Sequence, residues 1–512
     1  MKMFRDWNDR LTAYRLQKQK GGKAPAAPVR LKESLLDNLV KIRQDLDGTN
    51  DLVVRRFLLE DNDAVLVCME GMVNIQVVAQ GVLNPVLNSK PDTREPAAQF
   101  AFLRDQVLAM TELVQFETLE ELYGFAMSGF AVLLVDGVAA GLAVGVQGFN
   151  FRSISEPSTE VLQRGSREGF VEVLRINVSM IRRRMKTPDL RFELMKVGKK
   201  SKTDVCLCYM KSAVSEEILR NVRERLQSIP LDTVLESGYI QPYLEDKPLS
   251  LFTGVGTCER PDTLCGKITE GRIGIIVDGT PMALIVPYLF IENFQSMDDY
   301  ADRPYFSTFT RILKYIAFFI SILLPGLFVA IGTFHQELFP TPLLYNLAVA
   351  ESSQPFSLMT EALLIHFIYE LMREAGLRLP KPIGHAVSII GGLVIGDAAV
   401  KAGLIGAPMI MIVALTAISS FVIPKLYEPI AILRFVFILV GGTMYFLGLM
   451  LVLTAVVVNL CAIDPYGVPF TAPVSPLRLR SLRDVFLRRG WKHLSKKTVK
   501  IQNMPGSDKM DQ

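Results

Sequence analysis

Apolar and polar positions fall into two regimes along this chain, with the change near residue 305. Before it, apolar runs are short and bounded by charge. Residues 30–62 have a charged, helical spacing, and Phe102–Phe116 predicts a second helix. Asp63–Met69 (DAVLVCM) and Asp204–Met210 (DVCLCYM) predict strands, and another apolar stretch lies near Val73–Val78. Ser215–Ile229 predicts a helix with a charged outer face. Gly129–Phe149 (GFAVLLVDGVAAGLAVGVQGF) has the length of a membrane helix, but Asp136–Gly137 divides it into two β-branched arms. That pattern predicts a tight hairpin.

The hairpin has a counterpart. Gly271–Phe290 (GRIGIIVDGTPMALIVPYLF) also has Asp278–Gly279 between two apolar arms. Gly129, Val135, Asp136 and Gly137 match Gly271, Val277, Asp278 and Gly279 at one constant offset. The strand pair 63–69 and 204–210 repeats at nearly the same offset. These matches predict two related α/β subdomains, residues 30–150 and 151–305, each running strand, helix, hairpin.

Beyond residue 305 the runs lengthen. Ile316–Phe334 is long enough for a bilayer core of roughly 30 Å, with Pro325 as a kink. His335–Pro355 has no Lys or Arg, which predicts a loop on the far side of the membrane. Phe356–Gly376 differs in carrying Glu361, His366, Glu370, Arg373 and Glu374, a polar face that predicts a bundle interior or a membrane surface. Arg378–Pro424 is apolar and glycine-rich, with Asp397 and Lys401 inside it. Pro429–Ile463, about 35 residues and about 50 Å as a helix, is long for one crossing and short for two. Gly441–Gly442 is where it could break. The fold class expected is therefore an α/β soluble module of two related subdomains followed by an all-α polytopic membrane domain, residues 306–465. A disordered basic tail (1–29) precedes them, and a basic cytoplasmic tail (466–512) follows. Two cytoplasmic ends require an even number of crossings.

Composition narrows the function. The chain has 512 residues, 50% hydrophobic, with a net charge of +4, so no coherent basic surface marks a nucleic-acid partner. The first thirty residues lack the apolar core of a secretory signal, so the soluble module is expected in the cytoplasm. Six cysteines (68, 206, 208, 258, 265 and 461) have no common zinc spacing and read as buried thiols, without a metal or cofactor. Arg182–Arg184 end a helix whose dipole favours cations; they read as solvated or subunit-facing surface, or as facing acidic lipid. Four histidines lack ligand spacing, and no phosphate-binding glycine loop or hydrolytic triad can be argued, so no enzyme is expected and no catalytic residue is assigned.

The chemistry on offer is charge inside an apolar domain. An intramembrane carboxylate is a functional hypothesis by default. Asp397 could attract cations, with Val394 one turn earlier as an apolar constriction and Gly391 and Gly392 allowing close helix approach. Alternatively, Asp397 pairs with Lys401 in the favourable acid-first order and is neutralised. Glu361, His366 and Glu370 form a second candidate set.

Several stretches closely resemble the A subunits of spore nutrient-germinant receptors, the GerA family. They include SEPSTEVLQRGSREGFVEVLRINVSMIRRRMKTPDLR, CERPDTLCGKITEGRIGIIVDGTPMALIVP, ELMREAGLRLPKPIGHAVSIIGGLVIGDAAVKAGLIGAPMIMIVALTAISSF and YGVPFTAPVSPL. A stage V sporulation paralogue shares these motifs. The resemblance implies a cytoplasmic two-part module and a polytopic domain in the inner spore membrane. It also implies a transporter-like B subunit that senses nutrient, a lipoprotein C subunit, and oligomerisation of A subunits into a ligand-gated cation channel. On this resemblance His385–Gly403 holds the pore helix. The family's PFP triplet appears here as Pro355-Phe356-Ser357. A non-conducting scaffold and a secondary transporter are the alternative readings.

Overall fold

The computed structural model describes residues 29–148, 156–379, 396–477 and 484–490, apart from positions 48, 61, 92, 158, 163, 353 and 489. By contact the chain divides into two compact units. One is residues 1–152 with 178–192; the other is 153–177 with 193–512.

The first unit is built on a five-stranded antiparallel sheet: β1 (Leu52–Leu59), β2 (Asn62–Met69), β3 (Leu113–Phe116), β4 (Phe130–Val135) and β5 (Gly141–Gly145), ordered β1-β2-β4-β5-β3. Helix α1 (Leu35–Asp45) begins where the Ser34 hydroxyl accepts the Asp37 N–H, and it buries Leu35, Leu39 and Ile42. With α2 (Leu119–Ala126) it covers one sheet face, sharing a core with Val65, Val67, Val132 and Leu134. The alternate residues Leu66, Cys68, Leu133 and Leu142 face a second core with Phe100 and Leu103.

A second five-stranded sheet, mostly within the second unit, repeats this one. Strands β6 (Leu190–Val197), β7 (Thr203–Met210), β8 (Gly256–Cys258), β9 (Ile273–Val277) and β10 (Ala283–Val286) are ordered β6-β7-β9-β10-β8, the same path through the sheet. Helix α3 (Leu174–Arg184) corresponds to α1, α4 (Glu216–Gln227) fills a core with β7 and β9, and α5 (Pro261–Thr269) corresponds to α2. Glu216 and Glu217 occupy the first turn of α4, after the Ser215 cap, while Ile218, Leu219, Val222 and Leu226 point inward.

The repeat extends to individual hydrogen bonds. In the first copy the Asp136 carboxylate accepts the Leu35 N–H at 2.8 Å, tying the hairpin turn to the start of α1. In the second, Asp278 accepts the Leu174 N–H at 3.0 Å, at the start of α3. Asn38 and Asn177 each bridge the backbone N–H and C=O of the residue six positions earlier, Lys32 and Val171. Gly137 and Gly279 follow the aspartates with φ of 80° and 89°, which a Cβ disfavours. The hairpin connections are 136–140 and 278–282.

Helices form the rest of the second unit. They are α6 (Pro304–Phe334), α7 (Thr341–Ser352), α8 (Leu358–Arg378), α9 (Gly396–Lys401), α10 (Ala407–Phe421), α11 (Tyr427–Thr443) and α12 (Tyr445–Cys461). Among the described residues, two stretches are long and apolar enough to cross a membrane, Pro304–Phe334 and Pro424–Thr443; Ala407–Phe421 and Tyr445–Cys461 are shorter apolar helices. Gly326 on α6 and Gly441 on α11 lie face to face. A Cβ on Gly441 would run into the Gly326 carbonyl, and one on Gly326 into that of Phe437. Phe437 and Ile430 pack with Phe318 and Ile322 in the shared core.

Both ends of the helical region return to the second α/β subdomain. Phe290 N–H bonds Phe470 C=O at 2.9 Å just before α6, and Tyr466, Val468, Ala472 and Val485 enter the core of that subdomain. Residues 466–472 are thus built into the α/β layer, although the sequence reads as tail.

Several local expectations change. The first helix stops at Asp45, because 52–59 forms edge strand β1, whose half-exposed alternation (LVVRRFLL) hides it among charges. Phe102–Phe116 divides into a helix to Phe102, a π-helical turn to Val107 and strand β3. The connection 335–355 holds α7. The run 429–463 breaks at Met444–Tyr445, where Tyr445 has φ 58°, and gives two helices; Gly441 and Gly442 serve packing against Gly326 and Met359. Arg182 is fully buried, against the surface reading. Its guanidinium bonds Asp51 at 3.0 and 3.2 Å and sits over the Phe192 ring.

Candidate functional site: charge among the apolar helices

The helical region is apolar, so each buried charge in it needs a stated partner. At the base of α6, Arg311 is fully buried and bonds Asp299 at 3.0 Å and Asp484 at 3.1 Å, while Lys314 reaches Asp299 at 3.3 Å. These pairs tie the polar first turns of α6 to segments before and after the helices. Immediately below, Glu292 takes Arg272 at 2.6 Å, Lys267, and the Leu289 N–H at 2.9 Å. Burial works to raise the Glu292 pKa, but Arg272 and Lys267 outweigh it and hold the carboxyl below the ordinary glutamate range. Burial wins at neighbouring Glu270, which shifts upward despite Arg272.

Farther along the helices, α8 supplies three carboxylate or imidazole groups. Glu370 accepts a hydrogen bond from the Tyr427 hydroxyl and one from Arg434 at 3.2 Å. Arg434 is fully buried and also donates from Nε to the Ser321 carbonyl of α6 at 3.2 Å, so this one side chain joins α6, α8 and α11. The Arg373 guanidinium lies over the Tyr427 ring. His366 is fully buried, with Nδ1 2.8 Å from Ala362 C=O. Glu361, fully buried, accepts the Gly406 N–H ahead of α10.

The glycine-rich candidate segment divides differently. Gly391, Gly392 and Val394 lie outside the described residues. Asp397 and Lys401 occupy the first and last turns of α9 and form an ion pair at 2.7 Å, with 58% and 75% of their side chains exposed. The structure therefore shows the paired arrangement of these two charges. It gathers Glu361, His366 and Glu370 on α8, and adds partners that the sequence reading missed: Arg434, Tyr427, Ser321 and Gly406. Arg434 had a visible signal, as the one basic residue inside the apolar run 429–463.

Among the described residues, no group of three or more His, Cys, Asp or Glu is placed to hold a metal ion. Cys206 and Cys208 are buried on one face of β7, and Cys258 is buried on β8. Burial pushes the Cys208 and Cys258 thiols up, away from the reactive thiolate form. What the helical region offers chemically is buried, paired charge in apolar surroundings.

Known proteins share this chain's sequence over most of its length. It is 38% identical to spore germination protein KA of Bacillus subtilis over 91% of this chain and 86% of that protein. It is 34% identical to spore germination protein GerLA of Bacillus cereus, over 90% of this chain and 94% of that one. The crystal structure of the N-terminal domain of the A subunit of the Bacillus megaterium spore germinant receptor GerK3 matches 52% of this chain and 99% of its own, with 32% identity and a TM-score of 0.42. The family described as Bacillus/Clostridium GerA spore germination protein matches residues 40–499. With a family match across that span and relatives of this identity and coverage, the chain belongs to the GerA family of spore germination proteins.

Proposed function

We propose that this chain is the A subunit of a nutrient-germinant receptor, and that copies of it assemble in the inner spore membrane into a ligand-gated cation channel. Family membership supports the germination role. The observation that carries conduction is the exposed Asp397–Lys401 pair. Charges facing lipid are costly, so an exposed ion pair among apolar helices belongs against water or another subunit. A ring with Gly391–Lys401 toward its axis meets both conditions, with Val394 as the constriction and Asp397 as the cation-attracting group. The attachment of both ends of the helical region to one α/β subdomain supports an even number of crossings; the cytoplasmic side is taken from the family resemblance. A transporter-like B subunit that binds nutrient and a lipoprotein C subunit complete the receptor.

A second reading, a non-conducting scaffold, draws on the same pair: at 2.7 Å the two charges neutralise one another. Ion release from spores carrying the full receptor separates the readings. Val394→Ala is expected to leak cations without nutrient, and Asp397→Asn to alter or abolish the nutrient-triggered flux. Normal assembly with wild-type flux in both variants would remove the pore from 391–401 and favour the scaffold.

A further inference from the structure

Where α7, α8 and the start of α10 meet, two carboxyl groups converge. Glu361 of α8 is fully buried, and one of its oxygens, Oε1, accepts the Gly406 N–H. Among the described residues, no donor reaches the other oxygen, Oε2, which is also buried. Glu351, near the end of α7, brings its carboxyl to the same side of Gly406. The two Oε1 atoms lie 3.4 and 3.7 Å from the position a Cβ on Gly406 would take. Both carboxyl groups thus sit beside the same backbone position, close enough to interact directly. Neither has a Lys, Arg or His ion-pair partner among the described residues.

Two carboxylates have only acceptors, so a hydrogen bond between them requires a proton on one. Two like charges side by side, one of them fully buried, cannot both ionise without a penalty. The N-terminus of α10, fifteen residues long, offers its positive end to the charge that remains, with the Gly406 N–H as the contact. Among the described residues, other charged groups on these helices and their connections are engaged elsewhere. Glu370 is bound by Arg434 and Tyr427, Asp397 by Lys401, Glu337 by His335, and Nδ1 of His366 faces the Ala362 carbonyl. We propose that Glu351 and Glu361 form a proton-binding site, a carboxylic acid–carboxylate pair sharing one proton at the N-terminus of α10.

The site has a mechanical consequence. Gly406 ends the short connection that begins after Lys401, so the proton holds α7 and α8 against the segment that carries Asp397 and Lys401. Loss of the proton leaves two negative charges in contact and pushes α7 away from α8 and Gly406. This inference stands whether or not the chain conducts.

Infrared spectroscopy of the full chain in lipid nanodiscs tests it directly, because a protonated carboxyl has a C=O stretch resolved from that of carboxylate. The wild type at neutral pH is expected to show a buried protonated-carboxyl band that slow exchange in D2O shifts. Glu351→Gln and Glu361→Gln should each abolish it, since one carboxylate beside an amide donor needs no shared proton. A wild type without the band at neutral pH, or a band that survives in both variants, overturns the proposal. A band that appears only when potassium or sodium is withdrawn also overturns it, by making the occupant a monovalent cation. Ion flux is not the readout, so failure here is distinct from failure of the channel reading.

Discussion

The duplicated turn aspartates allow one perturbation to be made twice in the same chain. In Asp278→Ala, the Leu174 N–H loses its acceptor at 3.0 Å, while the Leu174 side chain stays buried at 4% exposure. Loss of a helix N-terminal acceptor costs about 0.5–2 kcal/mol, and a buried unsatisfied N–H about 1–3 kcal/mol. These ranges describe the same bond and are not summed; about 1.5 kcal/mol satisfies both. That corresponds to roughly a tenfold rise in local opening. The assay is amide hydrogen exchange on the purified full chain. Protection in 174–184 should fall about tenfold, with 35–45 unchanged. Asp136→Ala should give the mirror result through its 2.8 Å bond to Leu35, loosening 35–45 alone. Asp278→Asn keeps an acceptor oxygen and should stay within a few tenths of a kcal/mol of wild type. Unchanged exchange at the start of α3 in Asp278→Ala, or equal loss in both copies from either variant, would refute the argument that each turn aspartate anchors its own helix.

Two further outcomes follow from packing and charge. Gly441→Ala forces a methyl into the Gly326 carbonyl and should lower the thermal stability of the detergent-solubilised chain by about 1–3 kcal/mol. Gly124→Ala and Gly266→Ala, in helices with open space around them, should instead raise it by about 0.5–1 kcal/mol; the same sign for all three would sink the reading. Glu292 has a folded-state pKa below its unfolded value, so its stabilisation is present above the ordinary glutamate range and is lost as pH falls through the lower folded value. A pH series of thermal unfolding should show that acid loss shrink in Glu292→Gln. Glu270, shifted upward by burial, acts with the opposite sign: its favourable contribution disappears as pH rises, so Glu270→Gln should flatten that limb.

The sequence carried the repeat and hid the edges of it. Val135-Asp136-Gly137 and Val277-Asp278-Gly279 were readable because a turn places local demands on residue type: a φ near +80° at glycine and an oxygen acceptor for a helix N-terminus. Strand β1 was not, since an edge strand with one solvated face tolerates Arg55 and Arg56, and its identity comes from pairing with β2. The break at Met444 was equally hidden. Glycines 441 and 442 are the residues a reader selects as breakers, yet close approach of α6 and α11 uses them inside the helix, and the helix breaks three residues later at Tyr445. Arg182 misled for a similar reason. Three consecutive arginines look like a solvated face, and only Asp51, more than a hundred residues earlier, makes one of them internal.

The same logic sets what the charged residues of the helical region can mean. Helical spacing on α8 singles out Glu361, His366 and Glu370, but says nothing about what each faces. The structure gives Glu370 a cation and a hydroxyl, and gives Glu361 a backbone N–H and another acid. These are different devices on one helix. The Glu370–Arg434 pair closes a charge balance within the subunit and joins three helices, so a replacement that removes one partner strands the other in an apolar core. The Glu351–Glu361 pair has no side-chain cation beside it among the described residues, and the proton proposed above would supply its balance. Asp397 and Lys401 differ from both, being paired yet exposed, with their charges on the outside of the subunit. Burial therefore assigns the α8 residues to the internal working of one subunit and leaves Asp397 and Lys401 for contact with water or with a neighbour. If the channel proposed above is right, a neutral replacement at Glu370 should act first through stability, whereas one at Asp397 should act first through flux.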